Sequence, residues 1–383
     1  MRTRRRLASL VAVGLLGWLV AAGCGEKITI PQAQGLYALA TYLPAGTYPV
    51  DDLRDLEVAQ GNVFVLTGTG LYKRNQVFAG LDSVQGFVDA TALCVSAGDS
   101  LVFVWDQGTG QVSWYLTRDL SIPGGGPPST ELPAVRRCVR MATSPAGIAQ
   151  VPGALTYLYL SDPDSGVVHR YAYDPLAGLR ARGILCRSDG EGTRFVKVPA
   201  GLARDVADSL LVCDRDSLRN WVIRFNSSPD LTDVAISGPD PLRGRAALFD
   251  QATCNPPAAA DYVLGDAAAC GQSDWVGGLS SANGEFALPA DVAVDGSGRI
   301  YVADQGNNRV QIFTALGEYQ VAYGDSSRTP WPSALAVSDE AFDVGPDGID
   351  YGAFLWVIGD GAVRKFISGD HYDHINEQPP PVE

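Results

Sequence analysis

The stretch from Phe286 to Phe313 constrains this chain more than any other, because its apolar alternation reverses at turn residues twice in quick succession. Val292 and Val294 alternate as one strand, Asp295-Gly296-Ser297-Gly298 forms a tight hairpin turn, and Ile300 to Ala303 returns as a second strand. Gly306, Asn307 and Asn308 then turn the chain into a third strand, Val310 to Phe313, and Tyr319 to Tyr323 supplies a fourth. One four-stranded meander cannot bury both of its faces, so it requires further copies packed against it.

Those copies are present. Asp106-Gln107-Gly108 to Tyr115 aligns without a gap on Asp304-Gln305-Gly306 to Phe313, and follows the strand Leu101 to Trp105. Asp162 to Tyr171 does the same after Tyr157 to Leu160. Pro199-Ala200-Gly201-Leu202-Ala203 repeats the entry strand at Pro289, and Ser209 to Asp214 with Trp221 to Phe225 repeats the rest. Two outer copies, around Asn62 to Tyr72 and Pro332 to Phe366, are degenerate and lack the Asp. The equivalent positions Asp106, Asp162, Asp214 and Asp304 are 56, 52 and 90 residues apart, so the last interval holds an insertion, near 227–260, rather than an additional unit.

Pro289, the hairpin turn, the Val-Ala-Asp ending and Asn307-Asn308-Arg309-Val310 together closely resemble the NHL repeat. The resemblance implies an all-β fold, a six-bladed β-propeller of four-stranded antiparallel blades over residues 51–367. Residues 24–50 precede it, and a strand between Ile28 and Tyr42 is expected to close the ring by pairing with the last blade and hiding its edge. Residues 368–383, with Pro379-Pro380-Pro381, read as a disordered or extended tail.

The first residues carry an address. Arg2, Arg4, Arg5 and Arg6 precede the apolar run Leu7 to Ala22, which ends in Gly23-Cys24, so residues 1–23 read as a secretory signal peptide. Small residues directly before a Cys resemble the bacterial lipobox, which implies a lipid on Cys24, and Gly25 in place of Asp implies export to the outer membrane. In an oxidising compartment the other six cysteines, Cys94, Cys138, Cys186, Cys213, Cys254 and Cys270, favour disulfides over metal ligation. Cys254 and Cys270 are the best-supported pair, closing a loop worth about 3 kcal/mol on chain entropy.

Charge narrows the partners. The leader removes four of the 29 basic residues, leaving 25 against 43 acidic ones, a balance of −18. Such a body repels phosphate backbones and argues against nucleic-acid partners. Only His169, His371 and His374 are available, which argues against a three-His zinc site. Resemblance to propeller enzymes of the gluconolactonase, paraoxonase and amidating-lyase kinds implies a channel metal, for which calcium on Asp89, Asp205, Asp291 and Asp339 is the set to test. Against this, an Asp at the start or end of a strand commonly accepts turn hydrogen bonds. Asp106, Asp162, Asp214 and Asp304, with Asn307, Asn308 and Arg309, read as structural, each Asp accepting N–H groups of the turn it faces. Trp275 and Trp331 fall in loop-like stretches, away from the strand positions of the other tryptophans.

Two functions from different classes follow. One is a lipid-anchored envelope propeller that binds or scaffolds a protein or glycan, touching the membrane only through its N-terminal lipid. The other is a calcium-dependent lactonase-like or lyase-like enzyme with its site in the channel. They differ in whether three acidic or amide side chains converge at the channel mouth.

Overall fold

A computed structural model describes residues 42–96, 100–124, 128–145, 156–185, 196–205, 210–216, 220–225, 260–264, 280–315, 317, 319–338 and 354–368. Its strands form six four-stranded antiparallel sheets, a six-bladed β-propeller. Blade one comprises β2 (Leu53–Ala59), β3 (Asn62–Thr67), β4 (Gly70–Asn75) and β5 (Gly80–Gln85). Blade two comprises β6 (Ala90–Val95), β7 (Leu101–Asp106), β8 (Gln111–Leu116) and β9 (Ser129–Glu131). Blade three comprises β10 (Arg140–Pro145), β11 (Thr156–Asp162), β12 (Val167–Asp174) and β13 (Gly178–Leu185). Blade four comprises β14 (Pro199–Arg204), β15 (Leu210–Asp214), β16 (Trp221–Phe225) and β17 (Ala260–Leu264). Blade five comprises β18 (Pro289–Val294), β19 (Ile300–Asp304), β20 (Arg309–Phe313) and β21 (Tyr319–Tyr323).

Blade six joins the two ends of the described chain. Its strands β22 (Ala334–Ser338), β23 (Phe354–Gly359) and β24 (Ala362–Ser368) are completed by β1 (Tyr42–Pro49), which pairs antiparallel with β24 from Tyr42↔Ser368 to Pro49↔Ala362. The closing strand thus begins where the expected one ended, and the rest of the Ile28 to Tyr42 segment lies outside the described residues. Tyr42 is held by its hydroxyl, 3.2 Å from that of Tyr301 in blade five, which donates to Asp295 at 3.0 Å.

Apolar residues on the faces of each sheet pack between neighbouring blades, so the core is a set of wedges. Trp105, Trp114, Leu158 and Tyr173 fill the wedge between blades two and three. Phe64, Leu71, Leu93 and Val104 fill that between one and two, and Val65, Trp356 and Val363 that between six and one. Buried lysines reinforce these joints. Lys73 donates from blade one to the carbonyl of Arg118, in the β8–β9 connection of blade two, at 2.6 Å, and Lys365 from blade six to that of Gln76 at 3.0 Å.

The turn in blade five shows how local sequence sets the hairpin. Gly298 takes φ +85°, a conformation costly for any residue with a Cβ, and its N–H donates to the Asp295 carbonyl at 2.8 Å. The Asp295 carboxylate accepts the N–H groups of Ser297 and Arg299 at 3.0 and 2.9 Å, which closes the turn.

Cys94, Cys138 and Cys213 are buried free thiols, so the expected disulfide pairing does not hold at these three positions. All sit on or beside inner strands, where they fill volume as small apolar side chains. Cys186, Cys254 and Cys270 lie outside the described residues, as do Cys24, Trp275 and the 227–259 part of the insertion.

Candidate functional site

The innermost strand of every blade begins at the same end of the ring and lines a central channel. In register, the residue opposite the penultimate position of the second strand is Asp55 in blade one, Ala92 in two, Arg140 in three, Asp291 in five and Ala334 in six. In blade four this place falls within an irregularity between Pro199 and Leu202 and is taken by Gly201. Similar irregularities occur at Leu53/Asp55, Ala90/Ala92 and Pro289/Asp291. A bulge re-aims the side chain that follows it, here toward the axis.

Charged residues therefore occupy blades one, three and five, and small ones occupy two, four and six. The alternation lets three long side chains meet across the ring. Arg140 Nε lies 3.2 Å from Asp291 Oδ2 and 3.7 Å from Asp55 Oδ1. The Arg140 terminal nitrogens donate to its neighbour's carbonyl, on Val139, at 2.7 Å and to that of Ser333 in blade six. Gly201 makes room for this assembly, because a Cβ there would lie 2.4 Å from the Asp291 Cα.

The same carboxylates also tie adjacent inner strands together. Asp55 Oδ2 accepts the N–H of Leu93 in blade two at 2.9 Å, and Asp291 Oδ2 accepts that of Leu335 in blade six at 3.0 Å. Burial pushes the Asp55 carboxyl up to about 7, against the pull of Arg140, with the Asp291 charge adding to the rise. Burial likewise raises Asp291. Burial works against the Arg140 charge, but the two carboxylates outweigh it and hold the guanidinium protonated.

Arg140 divides the axis into two spaces. On one side lies a cavity of about 170 Å³ lined by inner strands of all six blades. On the other lies a mouth of about 380 Å³, edged by Arg54, Arg137, Arg140, Arg215 and Gln305.

The calcium set does not gather. Asp291 faces the channel, but Arg140 occupies the position from which a cation would be ligated. Asp89 sits at the rim, 3.5 Å from Arg54. Asp205 is buried just beyond the end of β14, and Asp339 lies outside the described residues. Among the described residues no group of three His, Cys, Asp or Glu side chains is placed to hold a metal. Asp55 and Asp291, both in ion-pair contact with one guanidinium, do not fit a divalent cation as they stand.

The repeated Asp residues lie at the ends of second strands, and each reaches back to the segment entering its own blade. Asp106 accepts the N–H groups of Val88, Asp89 and Gly108 at 2.9 to 3.0 Å. Asp162 accepts those of Arg136, Asp164 and Ser165 and lies 3.3 Å from His169 Nε2. Asp214 accepts those of Lys197, Val198 and Asp216. Asp304 accepts from the Ala287 N–H and from the Asn307, Arg309 and Gln311 side chains at 2.7 to 3.0 Å. Asn308, at φ +54°, accepts the Trp331 N–H at 2.8 Å.

Asp55, Arg140 and Arg215 were not among the residues singled out from sequence. The signal for the first two was a register count back from the end of the second strand, which in blade one carries Thr67 in place of the Asp and in blade three follows a long connection from β10.

Set against known proteins, residues 286–313 match the NHL repeat family model. A comparison with curated protein sequences finds no match. Similar solved structures include a streptogramin B lyase (12% identity, TM-score 0.44, 86% of this chain and 98% of that one). Another is virginiamycin B lyase from Staphylococcus aureus (11%, 0.45, 86% and 99%). A third is regucalcin, a calcium-binding protein from Agrobacterium tumefaciens (12%, 0.48, 85% and 95%). Likeness at this level carries nothing about the chemistry of the channel. With six four-stranded blades closing the ring and the matched motif in the fifth, the chain is a six-bladed β-propeller that carries an NHL repeat.

Proposed function

We propose that this protein is a binding module of the bacterial cell envelope, anchored by a lipid on Cys24 and presenting its propeller to a protein or glycan. The observation that supports this over a metal-dependent enzyme is the guanidinium of Arg140 seated between Asp55 and Asp291. A channel metal needs carboxylates free to ligate it, and here the axial pair is engaged. Envelope placement rests on the leader and on Gly23-Cys24-Gly25.

Two measurements test the reading. Labelled palmitate should enter the wild-type chain and not Cys24→Ser, which should move to the soluble fraction. Calcium titrated into the mature protein should neither bind in calorimetry nor raise Tm by more than about 1 °C. A calcium Kd in the micromolar range that is lost in Asp291→Asn would overturn the module in favour of the metal enzyme.

A further inference from the structure

Arginines gather at the channel mouth of an acidic chain. The protein is acidic, with net charge −14, yet four arginines edge this one cavity. Two are covered by exchangeable surface pairs. Arg54 lies 2.8 Å from Asp52 and 3.5 Å from Asp89, and Arg137 lies 3.1 Å from Asp164, with the side chains involved 39 to 52% exposed. Arg140 is held by its two aspartates. Arg215 differs, because among the described residues no carboxylate lies within ion-pair distance of it, and its guanidinium donates to the neutral Gln305 side chain at 2.5 Å.

An arginine with no carboxylate beside it among the described residues, and with two other arginines near it, is electrostatically costly in a half-buried mouth. Burial, with Arg140 and Arg137 adding to it, weakens the hold of Arg215 on its proton. An oxyanion placed between Arg215 and Arg137 would relieve that cost and could be bound by the planar fork of either guanidinium.

The same end of the ring exposes an aromatic surface. Trp331 is 53% exposed and held at φ +49°, its N–H donating to Asn308 in the loop that also carries Gln305. Two residues on, Ser333 lines the mouth and accepts from Arg140. A large aromatic kept in water in a left-handed backbone conformation is unusual, and an indole face is a natural platform for an apolar sugar face. The mouth's volume lies within the ~300–1,000 Å³ range of small-molecule sites.

We propose that this mouth is a binding site for an acidic saccharide, its carboxylate held by Arg215 and Arg137 and its ring resting toward Trp331. The inference rests on the binding-module reading and names the ligand class of that same propeller. Arg215, the one of the four with no carboxylate partner among the described residues, would favour the anion and leave a neutral sugar without a charge partner.

The test is calorimetric titration of the mature chain with D-glucuronate oligosaccharide, with the matching glucose oligosaccharide, and with inorganic phosphate. Glucuronate should bind at least about tenfold more tightly than glucose, as expected for a charge-assisted pair. Arg215→Met and the more exposed Arg137→Gln should each weaken it about tenfold or more, with Tm of Arg137→Gln unchanged. Trp331→Ala should weaken glucuronate several-fold and leave phosphate unaffected.

Equal affinity for acidic and neutral sugar, or unchanged affinity in both arginine variants, would overturn the site. Phosphate binding as tight as glucuronate, with Trp331→Ala silent, would overturn the saccharide and leave a bare oxyanion site. Conversion of the bound saccharide on prolonged incubation would instead overturn the binding-module reading while leaving the recognition site standing.

Discussion

At the level of single residues, the protein places three charges where their mutual attraction must offset the cost of burial. Asp55 and Asp291 face one guanidinium, so with both acids ionised the buried group carries one excess negative charge. The raised Asp55 value means that the folded state prefers the protonated acid. Its stability contribution is therefore fully present below about pH 4, the unfolded value, and is lost as pH climbs through about 7. Wild-type Tm should fall between pH 5 and pH 8, and Asp55→Asn should flatten that slope. An equally steep profile in the variant would assign the pH response to another group. Gly201 makes a second prediction at this scale. Its missing Cβ leaves room for the Asp291 backbone, which cannot retreat without moving its whole strand, so Gly201→Ala should cost about 2–3 kcal/mol in denaturant unfolding.

Within an element, one carboxylate does the work of a turn clamp. Asp304 is fully buried and takes up four donors from the entry segment, the turn and β20. Asp304→Ala would strand those donors, the Arg309 charge among them, and should destabilise the protein by about 3 kcal/mol or more. Asn307→Ala removes one partner from the cluster and should cost about 1 kcal/mol. A comparable loss in both variants would show that the carboxylate has no special place in the clamp. The motif was legible in sequence because its residues lie within a few positions of one another, so spacing alone places them in one turn. The free thiols of Cys94, Cys138 and Cys213 were not legible, because whether two cysteines pair depends on the distance between blades, which cysteine count does not contain.

For the whole molecule, the ring is closed by hydrogen bonds between strands far apart in sequence. The β1–β24 pairing joins residues 42–49 to 362–368 and covers the edge of β24. Tyr42→Phe, which removes the contact with Tyr301, should cost about 1 kcal/mol. Deleting residues 42–49 should lower Tm by far more and expose the edge of β24, giving oligomers in light scattering. A deletion variant that stays monomeric with native Tm would show that the ring does not depend on this strand.

The sequence by itself determined the number of blades, the strands of the best-preserved copies and the role open to the repeated Asp, because alternation, turn residues and short motifs are written over neighbouring positions. The leader on which the envelope address is proposed lies outside the described residues. Only the tertiary structure decided that Asp55, Arg140 and Asp291 meet, that Arg140 separates two cavities, and that four arginines share one mouth. These residues come from different blades and are brought together by the curvature of the ring. Their chemistry depends on distances set by closure, to which local spacing in the chain is blind.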